Sequence, residues 1–290
     1  YTSVTNATLA LYAPYKDYVY LLGDFNDWKV QTNYMLNRHF VNSDSVIWWI
    51  DLTVSPGTEY AFQYLVDGTI RTGDPYSEKI LDPGNDQYIP STNYPNLKPY
   101  PAGKTSQVVS VLQTAQSEYQ WQVTDFQRPP KERLFIYELH VRDFSTQRNY
   151  QFLIDTLSYL KSLGVNAIEL MPVNEFEGNS SWGYNPSFST ALDKYYGTPN
   201  KLKEFIDLCH QNGIAVIMDI VLNHAYGQSP LVKMYWDSAN SRPAANSPWF
   251  NVVSPNPVYS WGYDFNHEKS ATKYFVDRVN RYWLEEYKFD

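Results

Sequence analysis

Short stretches of alternating apolar and polar residues fill the first 125 or so positions. Ala7–Tyr12, Asp17–Leu22, Val46–Leu52 and Tyr60–Val66 are β-branched or aromatic runs. Turn-forming clusters separate them: Gly23-Asp24-Phe25-Asn26-Asp27, Ser55-Pro56-Gly57 and Asp67-Gly68. Short strands at this spacing predict a β-sandwich. Asp82–Pro101 is rich in Pro, Asn and Tyr and reads as an ordered loop; Val108–Gln122 predicts one or two further strands.

After Pro129-Pro130 the period changes. Leu134–Leu139 reads as a strand. Tyr150–Leu163 repeats apolar residues at Leu153, Leu157 and Leu160, a helical spacing, with Gly164 placed to cap it. Val165–Met171 is a second strand. Asn200–Asn212 predicts a helix burying Leu202, Phe205, Ile206 and Cys209, closed by Gly213. Ile214–Leu222 is nearly all apolar, as a strand covered on both faces must be. Ser270 to about Glu286 predicts a helix with Phe275, Val279, Tyr282 and Trp283 inward, and Lys288-Phe289-Asp290 opens a fourth strand. Repeated β–α units imply a parallel sheet with right-handed crossovers, doubly wound or closed into a barrel. Periodicity does not choose between those two.

Composition narrows the function. A net charge of −8 argues against partners that want a basic face, namely nucleic acid and anionic membrane surfaces. The single cysteine, Cys209, excludes an internal disulfide and a cysteine-rich metal site. No apolar run is long enough to span a bilayer. Tyr1 is followed by no charged and apolar leader pattern. Aromatic residues make up 17% of the chain, 26 of them tyrosines, which suits sugar faces as well as β-rich cores.

Four segments carry a resemblance. Asp219-Ile220-Val221-Leu222-Asn223-His224 ends a buried strand in an acid followed by Asn-His. Trp182-Gly183-Tyr184-Asn185-Pro186 follows the second strand, and the first strand reads Phe135-Ile136-Tyr137-Glu138-Leu139-His140-Val141-Arg142-Asp143-Phe144. Tyr263-Asp264-Phe265-Asn266-His267-Glu268 precedes the last helix. In this order they resemble family-13 glycoside hydrolases, the α-amylase family with its pullulanase-like and neopullulanase-like relatives, from roughly Glu132 to Asp290. Val19 to Trp28, with Val66-Asp67-Gly68 and Asp74-Pro75, resembles an early-set immunoglobulin-like module related to family-48 carbohydrate-binding modules. Starch-binding members tend to carry Lys and Trp where this chain has Gln63 and Ile70, so the resemblance does not extend to glycan binding by this module.

The resemblance implies a multi-domain β plus α/β chain. Residues 1–127 would form the immunoglobulin-like sandwich, and residues 128–290 the first part of a (β/α)8 barrel, broken off near strand four. In such a barrel the active site lies at the C-terminal ends of the strands. His224 would donate to a sugar hydroxyl beside the cleaved bond. Tyr184 would stack on that sugar, or simply pack in a tyrosine-rich core. Asp219 would support the site by orienting the arginine that precedes the nucleophile. Asn223 resembles a calcium ligand of many α-amylases; otherwise no cofactor is implied. Asn266 and His267 form either a substrate-side wall or a helix-start turn. Retaining hydrolysis needs a nucleophile and an acid/base, and the resemblance puts both, with a third Asp, beyond Asp290. No catalytic carboxylate is therefore expected in this chain, which by itself should be inactive.

The reading is an α-glucan-active glycosidase of starch, glycogen or maltooligosaccharide metabolism, acting on an α-glucan or maltooligosaccharide. The alternative is a non-catalytic carbohydrate-binding or interaction protein that keeps the scaffold. A different α/β enzyme using His140 or His224 with Asp219 lacks a Ser or Cys nucleophile. Glu138, Glu169 and Glu175 are further acids, with Glu138 read as structural; Cys209 and Trp28 read as packing residues. An incomplete barrel would expose a strand edge, to be covered by self-association or by the rest of the protein. The compartment stays open, with an exported location preferred to the cytoplasm.

Overall fold

The computed structural model describes residues 2–290. Its strands in chain order are β1 (Asn6–Tyr12), β2 (Val19–Gly23), β3 (Asn37–Asn42), β4 (Ser45–Thr53), β5 (Tyr60–Val66), β6 (Ile70–Thr72), β7 (Ile80–Leu81), β8 (Val109–Leu112), β9 (Ile136–Leu139), β10 (Ala167–Leu170), β11 (Asn174–Phe176), β12 (Pro186–Leu192), β13 (Ala215–Met218), β14 (His224–Ala225), β15 (Trp236–Asp237), β16 (Arg242–Pro243) and β17 (Tyr263–Asp264). Contacts divide the chain into two compact units.

The first unit comprises residues through Gln87, Lys98–Ser117 and Asn223–Lys273. Its sandwich strands form two antiparallel sheets, β1-β4-β3 and β2-β5-β8-β7, with β6 paired to β5, and residues 223–273 add the antiparallel pairs β14-β17 and β15-β16. β1 and β4 alternate, burying Ala7, Leu9 and Leu11 opposite Val46, Trp48, Ile50 and Leu52. β5 does not alternate: every residue from Ala61 to Val66 is buried, so both its faces are covered. One cover is the segment 105–108. The Gln63 amide donates to the carbonyls of Ser106 (2.8 Å) and Val108 (3.1 Å), and accepts from the Thr105 hydroxyl at 2.7 Å. Gln63 is thus a clamp inside the unit. Trp28 is buried too, with its indole N–H on Asp24. Residues 223–273 join the same unit. There Tyr235 donates to the Pro14 carbonyl at 2.6 Å, and Lys16 sits over the Tyr235 ring.

The second unit comprises Tyr88–Leu97, Glu118–Leu222 and Tyr274–Asp290. Its centre is a parallel sheet of order β13-β10-β9. The helix Pro199–Gln211 starts on a Thr198 cap and buries Leu202, Phe205, Ile206 and Cys209, as their spacing requires. Along the helix Ser270–Glu286, Phe275, Val279 and Trp283 are buried. Asp290 then donates its N–H to the Val216 carbonyl at 2.8 Å, laying the chain along β13.

Two expectations change. Tyr150–Leu163 is two helices, Tyr150–Asp155 and Leu157–Ser162, because the Thr156 hydroxyl donates back to Phe152 O at 2.7 Å and interrupts the run. Val108–Gln122 yields one strand, within the one or two expected. Beyond it the backbone N–H groups of Gln122 and Val123 and the Tyr119 hydroxyl bond to the buried Asp207 carboxylate instead of a ladder. The strand Ile214–Leu222 ends at Met218, and Ile217 and Met218 are only half-buried. Trp28 and Cys209 do pack in cores.

Candidate active site

The three parallel strands place carboxylates on one side of their C-terminal ends. Glu138 and Glu169 are direct neighbours across β9 and β10. Asp219 follows β13, its N–H donating to Leu170 O at 2.9 Å. Glu169's carboxyl is pushed above its ordinary pKa, first by burial, then by the charges of Glu138 and Asp219.

Tyr184 reaches Asp219 from the loop between β11 and β12. Its hydroxyl donates to Asp219 Oδ2 at 2.7 Å. Burial first, then this hydrogen bond to an anion, raises the phenol pKa. The loop is built for the contact. Gly183 sits at φ +91°, and a Cβ there would lie 2.6 Å from Pro172 Cβ and 2.8 Å from its carbonyl oxygen. The Gly183 N–H donates to Ser181, which also bonds Asn185, and the Asn185 amide donates to Glu177 O at 3.0 Å. The ring keeps 38% of its surface exposed, and Trp182 beside it keeps 60%.

At the end of β9, His140 is fixed on both nitrogens, by Asp143 (2.9 Å) and Tyr196 (3.2 Å). Hydrogen bonds from Arg142 and then His140 hold the Asp143 carboxyl well below its usual range. Glu175 is buried against Lys194, which makes it a structural ion pair.

His224, Asn223, Asn266 and His267 belong to the other unit. His224 is buried on β14 with Asp264 of β17 as its cross-strand partner. Gly262 makes room for it: a Cβ there would meet His224 Cδ2 at 2.8 Å. Asp264 accepts from the Asn251 amide (2.6 Å), whose oxygen accepts from the Asn266 amide (2.8 Å). Asn266 Oδ1 also accepts from Glu268 N, so it serves a turn ahead of the helix. His267 is exposed there. The Asn223 carbonyl accepts from Phe265 N at 2.9 Å. No cluster of three or more His, Cys, Asp or Glu able to hold a metal occurs among the described residues.

The parallel β–α sheet thus carries at its C-terminal ends an aromatic hydroxyl held by a carboxylate. Residues 143–288 match the family model "Alpha amylase, catalytic domain", and the chain belongs to that family. A malto-oligosyltrehalose trehalohydrolase of Saccharolobus solfataricus is 30% identical over 226 residues, covering 76% of this chain and 36% of the relative. A 1,4-alpha-glucan branching enzyme of Vibrio cholerae is 29% identical over 304 residues, covering 99% of this chain and 37% of the relative. The solved structure of a candidate alpha amylase from Salmonella typhimurium superposes with a TM-score of 0.74 at 26% identity, covering 100% of this chain and 42% of that one. A pullulanase of Anoxybacillus sp. LM18-11, complexed with maltotetraose, shares the fold with a TM-score of 0.71 at 23% identity, over 99% of this chain and 43% of that one. The chain spans little more than a third of the length of these curated relatives. Among the described residues no helix is long and apolar enough to cross a membrane.

Proposed function

We propose that these residues form the substrate-holding part of a retaining, α-glucan-active enzyme of the α-amylase family, acting on starch, glycogen or maltooligosaccharides. The observation that carries this reading is the Tyr184–Asp219 hydrogen bond at the C-terminal end of the parallel sheet. A phenol anchored at its oxygen keeps its ring in one orientation, and a fixed, part-exposed ring is what the C–H face of a pyranose packs against. In this reading His224 donates to a sugar hydroxyl, and Asn266 and His267 are further substrate contacts, as the resemblance implies. Asp219 is a support that holds Tyr184 and, as the resemblance implies, orients the arginine that precedes the nucleophile. Residues 1–127 act as the immunoglobulin-like module and residues 128–290 as the start of the barrel.

The nucleophile and acid/base that the resemblance requires have no counterpart among these residues. The chain by itself therefore binds but does not cleave, since without a nucleophile no glycosyl-enzyme forms. The test has two parts. Incubation with soluble starch or pullulan should release no reducing ends. Titration with maltotetraose, followed through the indole resonance of Trp182, should saturate and weaken about tenfold in Tyr184→Ala. Turnover at an enzyme-like rate would refute the first part, and binding indifferent to Tyr184 the second.

A further inference from the structure

The first unit contains an open cleft of about 470 Å³ that the proposed site does not use. Its floor comes from the sandwich: Ile70 and Arg71 of β6, preceded by Thr69. One rim is Ser106 and Gln107, held by the Gln63 clamp and by the Tyr100 hydroxyl on Gln107 O at 2.8 Å. The opposite wall is Val232 and Lys233 of the helix Pro230–Met234, with Trp236 of β15 and Tyr263 of β17.

The two rings meet edge to face, centroids 5.0 Å apart and planes at 70°. Both are half-buried. Around them stand side chains that hydrogen-bond in pairs. Lys233 Nζ donates to Gln107 Oε1 at 2.7 Å, and Arg71 Nη1 donates to Thr105 Oγ1 at 3.2 Å. No carboxylate is among the lining residues, although the chain carries a net charge of −8. The wall is rigid: Leu231, Val232, Met234 and Tyr235 are buried, and Tyr235 is tied to Pro14.

The cleft is separate from the face that carries His224. Across the β14–β17 ladder, His224 opposes Asp264 and Ala225 opposes Tyr263. Cross-strand partners share a face and successive residues alternate. Tyr263 therefore points away from the His224 side, toward Trp236.

We propose that this cleft is a second carbohydrate site, taking a short segment of neutral α-glucan, with Trp236 and Tyr263 as its apolar platform and Gln107, Arg71, Lys233 and Thr69 as hydroxyl partners. The volume is that of a small-molecule site. Rings flanked by amide, guanidinium and ammonium groups give a pyranose an apolar face and hydroxyl partners at once. The proposal deepens the α-glucan reading given above and rests on it. It also accounts for the loop at 105–108, which closes over Gln63 and thereby supplies the rim.

Two indole N–H reporters separate the two sites in one experiment: Trp182 for the strand-end site and Trp236 for the cleft, each assigned by its Trp→Phe variant. Maltotetraose is titrated into the whole chain. The expected result is a saturable shift of the Trp236 signal that persists in Tyr184→Ala and weakens about tenfold in Gln107→Ala or Tyr263→Ala. Gln107 is exposed, so its variant keeps the fold even if the ring variant does not. A Trp236 signal that stays still while Trp182 moves would overturn the cleft and keep the strand-end reading. Movement of Trp236 alone would keep the cleft and refute the other site. A Trp236 response to glucose 1-phosphate or inorganic phosphate but not to maltotetraose would overturn the neutral-sugar assignment, as would no response to any of them.

Discussion

Glu138 and Glu169 stand side by side on adjacent parallel strands, paired in register across β9 and β10. Like charges so placed repel, and Asp219 adds a third. Because Glu169's folded pKa lies above its ordinary value, the folded chain binds more protons there than the unfolded one. The stability this group gives is present below the ordinary carboxylate pKa and is lost as pH rises through the raised one. Glu169→Gln should therefore raise the melting temperature at pH 7 by about 1–3 °C, with the gain fading toward about pH 4. Thermal scans of both proteins across that range check the sign; a variant less stable at neutral pH would contradict it.

Gly183 is the hinge on which Tyr184 is presented. Its left-handed backbone and its approach to Pro172 leave no room for a methyl group. Gly183→Ala should cost about 1–3 kcal/mol and weaken maltotetraose binding at the Trp182 reporter. Denaturant unfolding and the titration are independent readouts. A stable variant with unaltered binding would show that the loop tolerates another shape.

Gln63 is fully buried, and three hydrogen bonds join it to residues 105–108. Gln63→Ala strands two carbonyls and a hydroxyl, at a cost of about 2 kcal/mol. Hydrogen exchange should accelerate at the amides of 105–108 before the rest of the unit. Uniform acceleration would mean that the segment is held by something else.

β9 pairs on one side with β10, and Phe135 and Ile136 at its edge are 58% and 45% exposed. Unpaired strand groups beside exposed apolar side chains invite association. The purified chain should show concentration-dependent mass in sedimentation, reduced in Ile136→Lys. A monomer throughout would refute it.

These particulars show which features a sequence carries. The helix Pro199–Gln211 was legible because cap, period and closing glycine agree. The break at Thr156 was not, because the apolar spacing at Leu153, Leu157 and Leu160 runs straight across it. β3, Asn37–Asn42, is exposed at every position and has no alternation to find. β12 is buried at every position and hides for the opposite reason. Within the site, Tyr184 and Asp219 stood out through their motifs. The Glu138–Glu169 pair did not, because side-by-side placement depends on parallel register, which a single strand's sequence does not contain.

The clamp at Gln63 also bears on engineering this module. Restoring a lysine at position 63 and a tryptophan at position 70 would copy the residues of glycan-binding relatives without recreating their surface. The carbonyls of Ser106 and Val108 accept from the Gln63 amide and would be the first partners such a lysine meets, and Ile70 already lines the cleft. A graft that frees position 63 to face solvent would have to move the segment 105–108, and with it the cleft's rim. The segment that holds Gln63 is also the one that borders the proposed cleft, so a change to either changes both.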